Sequence, residues 1–161
     1  MSIITDRIVN AYLETLLWSE ALSACDGDGN PTSITIPENA PGPYAGDTFE
    51  DGTSLDSFLD TSDLPDLAPK VVAEAREDLE GFGSYVEETL GFDPFEVFDA
   101  EQVAHDFCLS RNGHGAGFFD GDFTHEGEQY CTRLQDAAET FGTMGLQVWV
   151  ENDTLHVESH G

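Results

Sequence analysis

Basic residues are nearly absent from this chain. Its 161 residues include only Arg7, Lys70, Arg76, Arg111 and Arg133 as strong bases, against 33 aspartates and glutamates, for a formal net charge of −28. A phosphate backbone or an anionic membrane surface is bound through clustered cations, so neither nucleic acid nor membrane is expected as a direct partner. Long apolar runs are missing as well. The opening segment MSIITDRIVNAYLETLLWSEAL is interrupted by Asp6, Arg7, Glu14 and Glu20. It has no basic leader and no continuous apolar stretch, so it reads as neither a secretory signal nor an anchor. The expected location is therefore the cytoplasm.

Cysteine is scarce and unpatterned. Cys25, Cys108 and Cys131 are odd in number and show no CxxC spacing, which argues against a disulfide framework and a dedicated zinc site. There is no glycine-rich phosphate loop, no nucleophile elbow and no HExxH, so no cofactor is expected and an enzyme is disfavoured. The stretch DGDGN at 26–30 opens like a calcium loop but has Pro31 where glycine is required and Pro37 where glutamate is required. It is read as a solvated turn.

The chain does contain enough apolar material to fold: hydrophobic residues make up 39%, with 11 Phe, 4 Tyr and 2 Trp. An acidic disordered tail would be far poorer in aromatics. A single domain over 1–161 is expected, helical and loop-rich over 1–100 and β-rich over 101–161. Helical spacing runs from residue 4 to about 24, with Thr5 or Ser2 as cap. A long loop follows, with a short strand at Ser33 to Ile36. A second helical pattern spans Leu64 to Thr89, with Val71, Val72, Ala75, Leu79 and Phe82 as its stripe; Gly81 and Gly83 are expected to break or kink it, with a second segment from Ser84 to Leu90. Residues 92–104 read as a turn and one further helical turn. EQYCTRLQDAAETFG reads as a helix, and LQVWV and TLHVES as strands. The fold class is α+β, a small antiparallel sheet packed against several helices.

The densest polar stretch is HDFCLSRNGHGAGFFD, residues 105–120. Asn112-Gly113 is a strong hairpin signal, so HDFCLSR and HGAGFFD are expected to pair as strands, with Arg111 opposite His114 and His105 opposite Asp120. Gly115 and Gly117 would then clear one face for close packing. The functional alternative is a polar tip formed by Arg111, Asn112 and His114 beside a His105–Asp120 pair, suited to anion binding or acid–base work. A metal site from His105, His114, Asp120 and His125 would need ligands that converge, and the hairpin register holds His105 and His114 apart.

The acidity has two candidate causes. One is adaptation to molar salt, where the Debye length shrinks to about 3 Å and self-repulsion fades. The other is mimicry of the charge of a nucleic-acid duplex. Dispersal of the acids along the whole chain and a single lysine favour the first. The candidate surface for the second lies between Asp47 and Glu101, chiefly Glu74, Glu77, Asp78, Glu80, Glu87 and Glu88; an ordinary solvated helix face would look the same.

The pattern of residues 105–120 resembles that of a family of small proteins from tailed phages, viruses and prophages, HDFxL[ST]RNGHGAGFxD. His105, Asp106, Phe107, Leu109, Ser110, Arg111, Asn112, Gly113, His114, Gly115, Ala116, Gly117, Phe118 and Asp120 fit it. Typical members carry Trp at the positions of Cys108 and Phe119. The resemblance implies a viral or proviral origin and assigns no catalytic residue. With the acidity, it suggests a virus of a salt-loving archaeon. The resulting expectation is a non-enzymatic accessory protein in the host cytoplasm or the virion. It would bind a host or viral protein, with mimicry of DNA before a DNA-binding enzyme, an anti-defence role, as the sharpest form.

If self-repulsion dominates, raising NaCl from about 0.1 M to about 2 M will raise the thermal unfolding midpoint by several degrees. A midpoint insensitive to salt in a calorimetric scan would contradict that account.

Overall fold

The computed structural model of the chain describes residues 3–19, 33–36, 38, 45–49, 61–113, 130–151 and 154–160. Helix α1 spans Asp6–Ser19. Thr5 starts it: its side-chain oxygen accepts from the Ile8 N–H and its carbonyl from the Val9 N–H. Ile8, Val9, Tyr12, Leu13, Leu16 and Leu17 are buried along its inner face. Two short strands, β1 at Ile34–Thr35 and β2 at Thr48–Phe49, pair antiparallel.

A 3-10 turn at Thr61–Asp63 leads into α2, Leu64–Leu67, and then α3, Pro69–Leu90. Proline in the first turn suits α3, because that position needs no N–H donor. The expected stripe is buried, with Val71, Ala75, Leu79, Phe82 and Val86 facing the core. The expected break is not there, since α3 runs unbroken through Gly81 and Gly83. Both glycines make room for neighbours. A Cβ at Gly81 would lie 3.2 Å from the Phe141 ring, and one at Gly83 would lie 3.3 Å from both Asp93 Oδ1 and the Phe95 ring. Close packing therefore outweighs the helix-propensity cost of about 1 kcal/mol per glycine.

Helix α4, Pro94–Val97, is capped by Asp93, whose side chain accepts from the Phe95 N–H at 2.9 Å. Helix α5 spans Ala100–Arg111 and corrects the sequence reading most sharply. Residues 105–111 are helical, so HDFCLSR is not a strand and Asn112-Gly113 is not the turn of a hairpin. Gly113, at φ 78°, follows the helix end, and its N–H donates to the Ser110 carbonyl. Asn-Gly supplies a left-handed glycine in either setting, so the dipeptide alone does not distinguish a hairpin turn from a helix C-terminus. The partner half of the expected hairpin, His114 to Asp120, lies outside the described residues.

Helix α6 covers Cys131–Glu139, with Leu134, Ala137 and Ala138 buried. Strands β3, Gly145–Glu151, and β4, Thr154–His160, form an antiparallel pair with Val148 opposite Val157. Leu146 and Val157 are buried while Glu158 is exposed, as period-two alternation requires. The fold is thus α+β. Its centre is an aromatic cluster: the Phe107 ring stacks on Phe82 at 4.5 Å and meets Phe141 edge-on at 5.5 Å. Tyr12 lies 5.8 Å from Phe107 on the α1 side.

Candidate functional site

From Asp106 onward helix α5 is enclosed by its neighbours, and its polar residues there are enclosed with it. Asp106 and Ser110 are fully buried, and Arg111 is 5% exposed. The Arg111 guanidinium is the point where the chain's distant parts meet. Its Nη1 donates to Asp78 Oδ2 on α3 at 2.8 Å and to the Tyr12 hydroxyl on α1 at 3.0 Å. Its Nε donates to the Gly142 carbonyl at 2.8 Å, and Nη2 to the Phe141 carbonyl at 3.0 Å. The Phe107 ring lies beneath it, 5.2 Å from Cζ to the centroid. Four of the five guanidinium N–H groups are thus engaged, and the charge sits in the last turn of α5, where the helix dipole favours a cation.

The Tyr12 hydroxyl accepts from Arg111 and passes its own proton toward Met144 Sδ at 3.2 Å. Burial pushes this hydroxyl well above the usual tyrosine range, Cys108 adds to the shift, and Arg111 pulls against it. For Arg111, burial works against the charge, but Tyr12 and Asp78 outweigh it and hold the group above its ordinary value. Asn112 adds a second clasp. Its amide donates to the Cys108 carbonyl at 3.0 Å, and its side-chain oxygen accepts from the Met144 N–H at 2.7 Å. Gln135 on α6 donates to the Ser110 carbonyl and to Glu139, while its buried Oε1 has no hydrogen-bond partner among the described residues.

The expected polar tip therefore does not assemble from Arg111 and Asn112, because both are turned inward to hold the fold. His105 is half-buried, with Nδ1 2.9 Å from Thr15 Oγ1. It lies six residues from Arg111 along α5 and so faces another side of the helix. The expected pairings of Arg111 with His114 and of His105 with Asp120 rested on the strand register and fall with it. His114, Asp120 and His125 lie outside the described residues, as do the glycines 115 and 117. Among the described residues no group of three His, Cys, Asp or Glu side chains is placed to hold a metal.

The acidic residues separate into two kinds. Asp78 belongs to the Arg111 network and is not free surface charge. Glu74 accepts a hydrogen bond from Ser159 Oγ on β4. Glu77, Glu87 and Glu88 are exposed and Glu80 half-buried on the solvent side of α3, opposite its buried stripe. The chain's cations do little to neutralise them: Arg7 pairs with Glu101, Arg76 with Asp6, and Arg111 with Asp78.

The residues that sequence reasoning missed are Tyr12, Met144 and Gln135, together with the internal role of Asp78. One signal was available. Asp99 with Gln102 three residues on is a capping pattern, and the Asp99 side chain does accept from the Gln102 N–H at 3.0 Å. Comparison with protein-family models, curated proteins and solved structures finds no match to this chain. Among the described residues, no helix is long and apolar enough to cross a membrane.

Three outcomes follow from the network. Asp78→Asn leaves the buried guanidinium without its counter-charge and will cost about 2–3 kcal/mol in urea unfolding. That is less than for a fully enclosed pair because the Asp78 side chain is 32% exposed. Arg111→Lys will be comparably damaging, since an ammonium cannot serve four divergent acceptors. The raised Tyr12 value also sets an alkaline limit. Its stabilising contribution is complete below the unfolded value of 10.0 and is lost as pH climbs from there through the folded value. Tyr12→Phe will be less stable than the parent at neutral pH, yet will lose less stability between about pH 9 and about pH 11.

Proposed function

We propose that this chain acts by binding another protein through the acidic face of α3, in the manner of a duplex mimic set before a DNA-binding enzyme. The observation that carries the reading is the line of carboxylates at Glu74, Glu77, Glu80, Glu87 and Glu88 on one side of a 22-residue helix. At 1.5 Å per residue these span about 21 Å, a mean spacing of about 5 Å with a gap of about 10 Å between Glu80 and Glu87. One strand of duplex DNA presents a phosphate about every 3.4 Å along its axis. A rigid helix thus offers a row of negative charge, sparser than that of one DNA strand, to a basic groove.

Two further points support the reading. The side chains of Glu77, Glu80, Glu87 and Glu88 make no hydrogen bond or ion pair among the described residues, so their charge is directed to solvent or to a partner. The strongest polar cluster, around Arg111, is turned inward, which favours a binding surface over a reaction centre there. The partner is a host or viral protein with a basic groove. The sequence pattern at residues 105–120 accords with an accessory protein of a virus, and the lysine-poor acidity with a host living in strong salt.

The test is capture of a partner from host lysate at native salt, followed by displacement of a labelled duplex from that partner. The triple variant Glu77→Lys, Glu87→Lys, Glu88→Lys will need at least about tenfold more protein for half-displacement, a loss of about 1.4 kcal/mol in binding. Equal displacement by parent and variant would sink the proposal.

A further inference from the structure

The outer edge of β4 is open. Strands β3 and β4 pair with each other and with no third strand among the described residues. Glu151 faces Thr154 across a two-residue connection, and the pair closing such a connection exchanges main-chain hydrogen bonds. Bonded and non-bonded pairs alternate from there. His156 and Glu158 therefore bond to Trp149 and Gln147 of β3, while Leu155, Val157 and Ser159 turn their N–H and C=O groups away from it. Those outward groups make no main-chain hydrogen bond among the described residues. Val157 is buried, so an unmet donor and acceptor there carry a desolvation cost. A groove of about 390 Å³ runs beside this edge, lined by His156, Val157, Glu158 and Ser159 together. One face of a strand would contribute only alternate residues, so the edge itself opens there. The far wall is the start of α3, with Lys70 and Glu74. Ser159 Oγ donates to Glu74 and fastens the strand to that helix.

Outward N–H and C=O groups repeating every second residue are matched by another extended strand, and by no helix or small ion. The residue pattern says which strand. Val157 is the middle of the seven residues of β4. Antiparallel pairing of two copies about Val157 uses the whole strand, with Val157 facing Val157 and Leu155 facing Ser159 as bonded pairs. It also sets His156 of each copy opposite Glu158 of the other, in the non-bonded pairs where side chains lie closest. An imidazole N–H then meets a carboxylate twice. A slip of two residues either way sets Glu158 against Glu158 or His156 against His156. Lys70, the chain's only lysine, lies in the same groove and offsets part of the repulsion between two acidic copies.

We infer that β4 pairs edge to edge with β4 of a second copy, about a twofold axis at Val157, to give a four-stranded antiparallel sheet. Two strands alone are marginal, and four with helices packed on one face are not. The axis stands perpendicular to the sheet, so both α3 helices lie against the same face. The interface is isologous and closes after two copies. It stands apart from the acidic-face reading, because main-chain hydrogen bonds supply the attachment.

The experiment uses the full chain in about 2 M NaCl, where repulsion between copies is screened beyond about 3 Å. Sedimentation velocity will show a monomer–dimer equilibrium, with a dissociation constant at least about tenfold higher at about 0.15 M NaCl. Amide hydrogen exchange will show Val157 and Ser159 protected at least about tenfold more in the dimer than in the dilute monomer. The His156 and Glu158 amides, bonded to β3, will be protected in both. Glu158→Lys changes an exposed residue and sets a cation against His156 of the other copy. It will raise the dissociation constant at least about tenfold and leave the unfolding midpoint in place. Glu96→Lys, the same change of charge on an exposed residue of α4, will not raise it. A chain that stays monomeric at every salt and protein concentration overturns the inference. So does a dimer whose Val157 and Ser159 amides exchange freely, or one indifferent to Glu158→Lys. Protection of those two amides at every dilution means that the edge is covered within one chain, and overturns it as well.

Discussion

A single buried cation organises this protein. Arg111 reaches α1 through Tyr12, α3 through Asp78, and the segment after α6 through the carbonyls of Phe141 and Gly142. A guanidinium with so little exposure survives only if its donors are satisfied and its charge is matched. Five divergent N–H groups allow one residue to do this for three elements at once. The aromatic cluster beneath it supplies the apolar enclosure, so the polar hub and the hydrophobic core are built around the same residue, Phe107.

That hub also determines which acids are available for other work. Helix α3 turns Asp78 inward to the guanidinium, and it turns Glu77, Glu80, Glu87 and Glu88 toward solvent. Its inner stripe of Val71, Ala75, Leu79, Phe82 and Val86 holds it against the core. The helix therefore works as a rigid rail: one side is committed to the fold, and the other carries charge that the chain's own bases leave unpaired. Gly83 adds a local feature by letting α4 close against that rail.

Much of the frame was legible in the residues. The stripes of α1, α3 and α6 follow from hydrophobic periodicity, because each of those helices buries one face and exposes the other; the strands β3 and β4 are legible as β-rich runs, and together they give the α+β class. Helix α5 was not legible for the opposite reason. It is buried on nearly every side, and Asp106, Ser110 and Arg111 are buried along with Val103 and Phe107. A helix whose last two turns are enclosed shows no polar face there, so its period is hidden, and Asn112-Gly113 then read as a hairpin turn. The glycines of α3 misled in a related way. Their low helix propensity is a local property, while the rings of Phe141 and Phe95 that make them necessary come from distant parts of the chain.

The sequence by itself determined the charge, the class of fold and the amphipathic helices, because composition and periodicity are properties of the chain alone. It also marked 105–120 as the stretch of greatest chemical density. Only the tertiary structure decided what Arg111 and Asn112 do there. Whether an arginine is a reactive tip or an internal tie depends on which acceptors surround it. Those acceptors come from residues 12, 78, 141 and 142, whose approach no local spacing records.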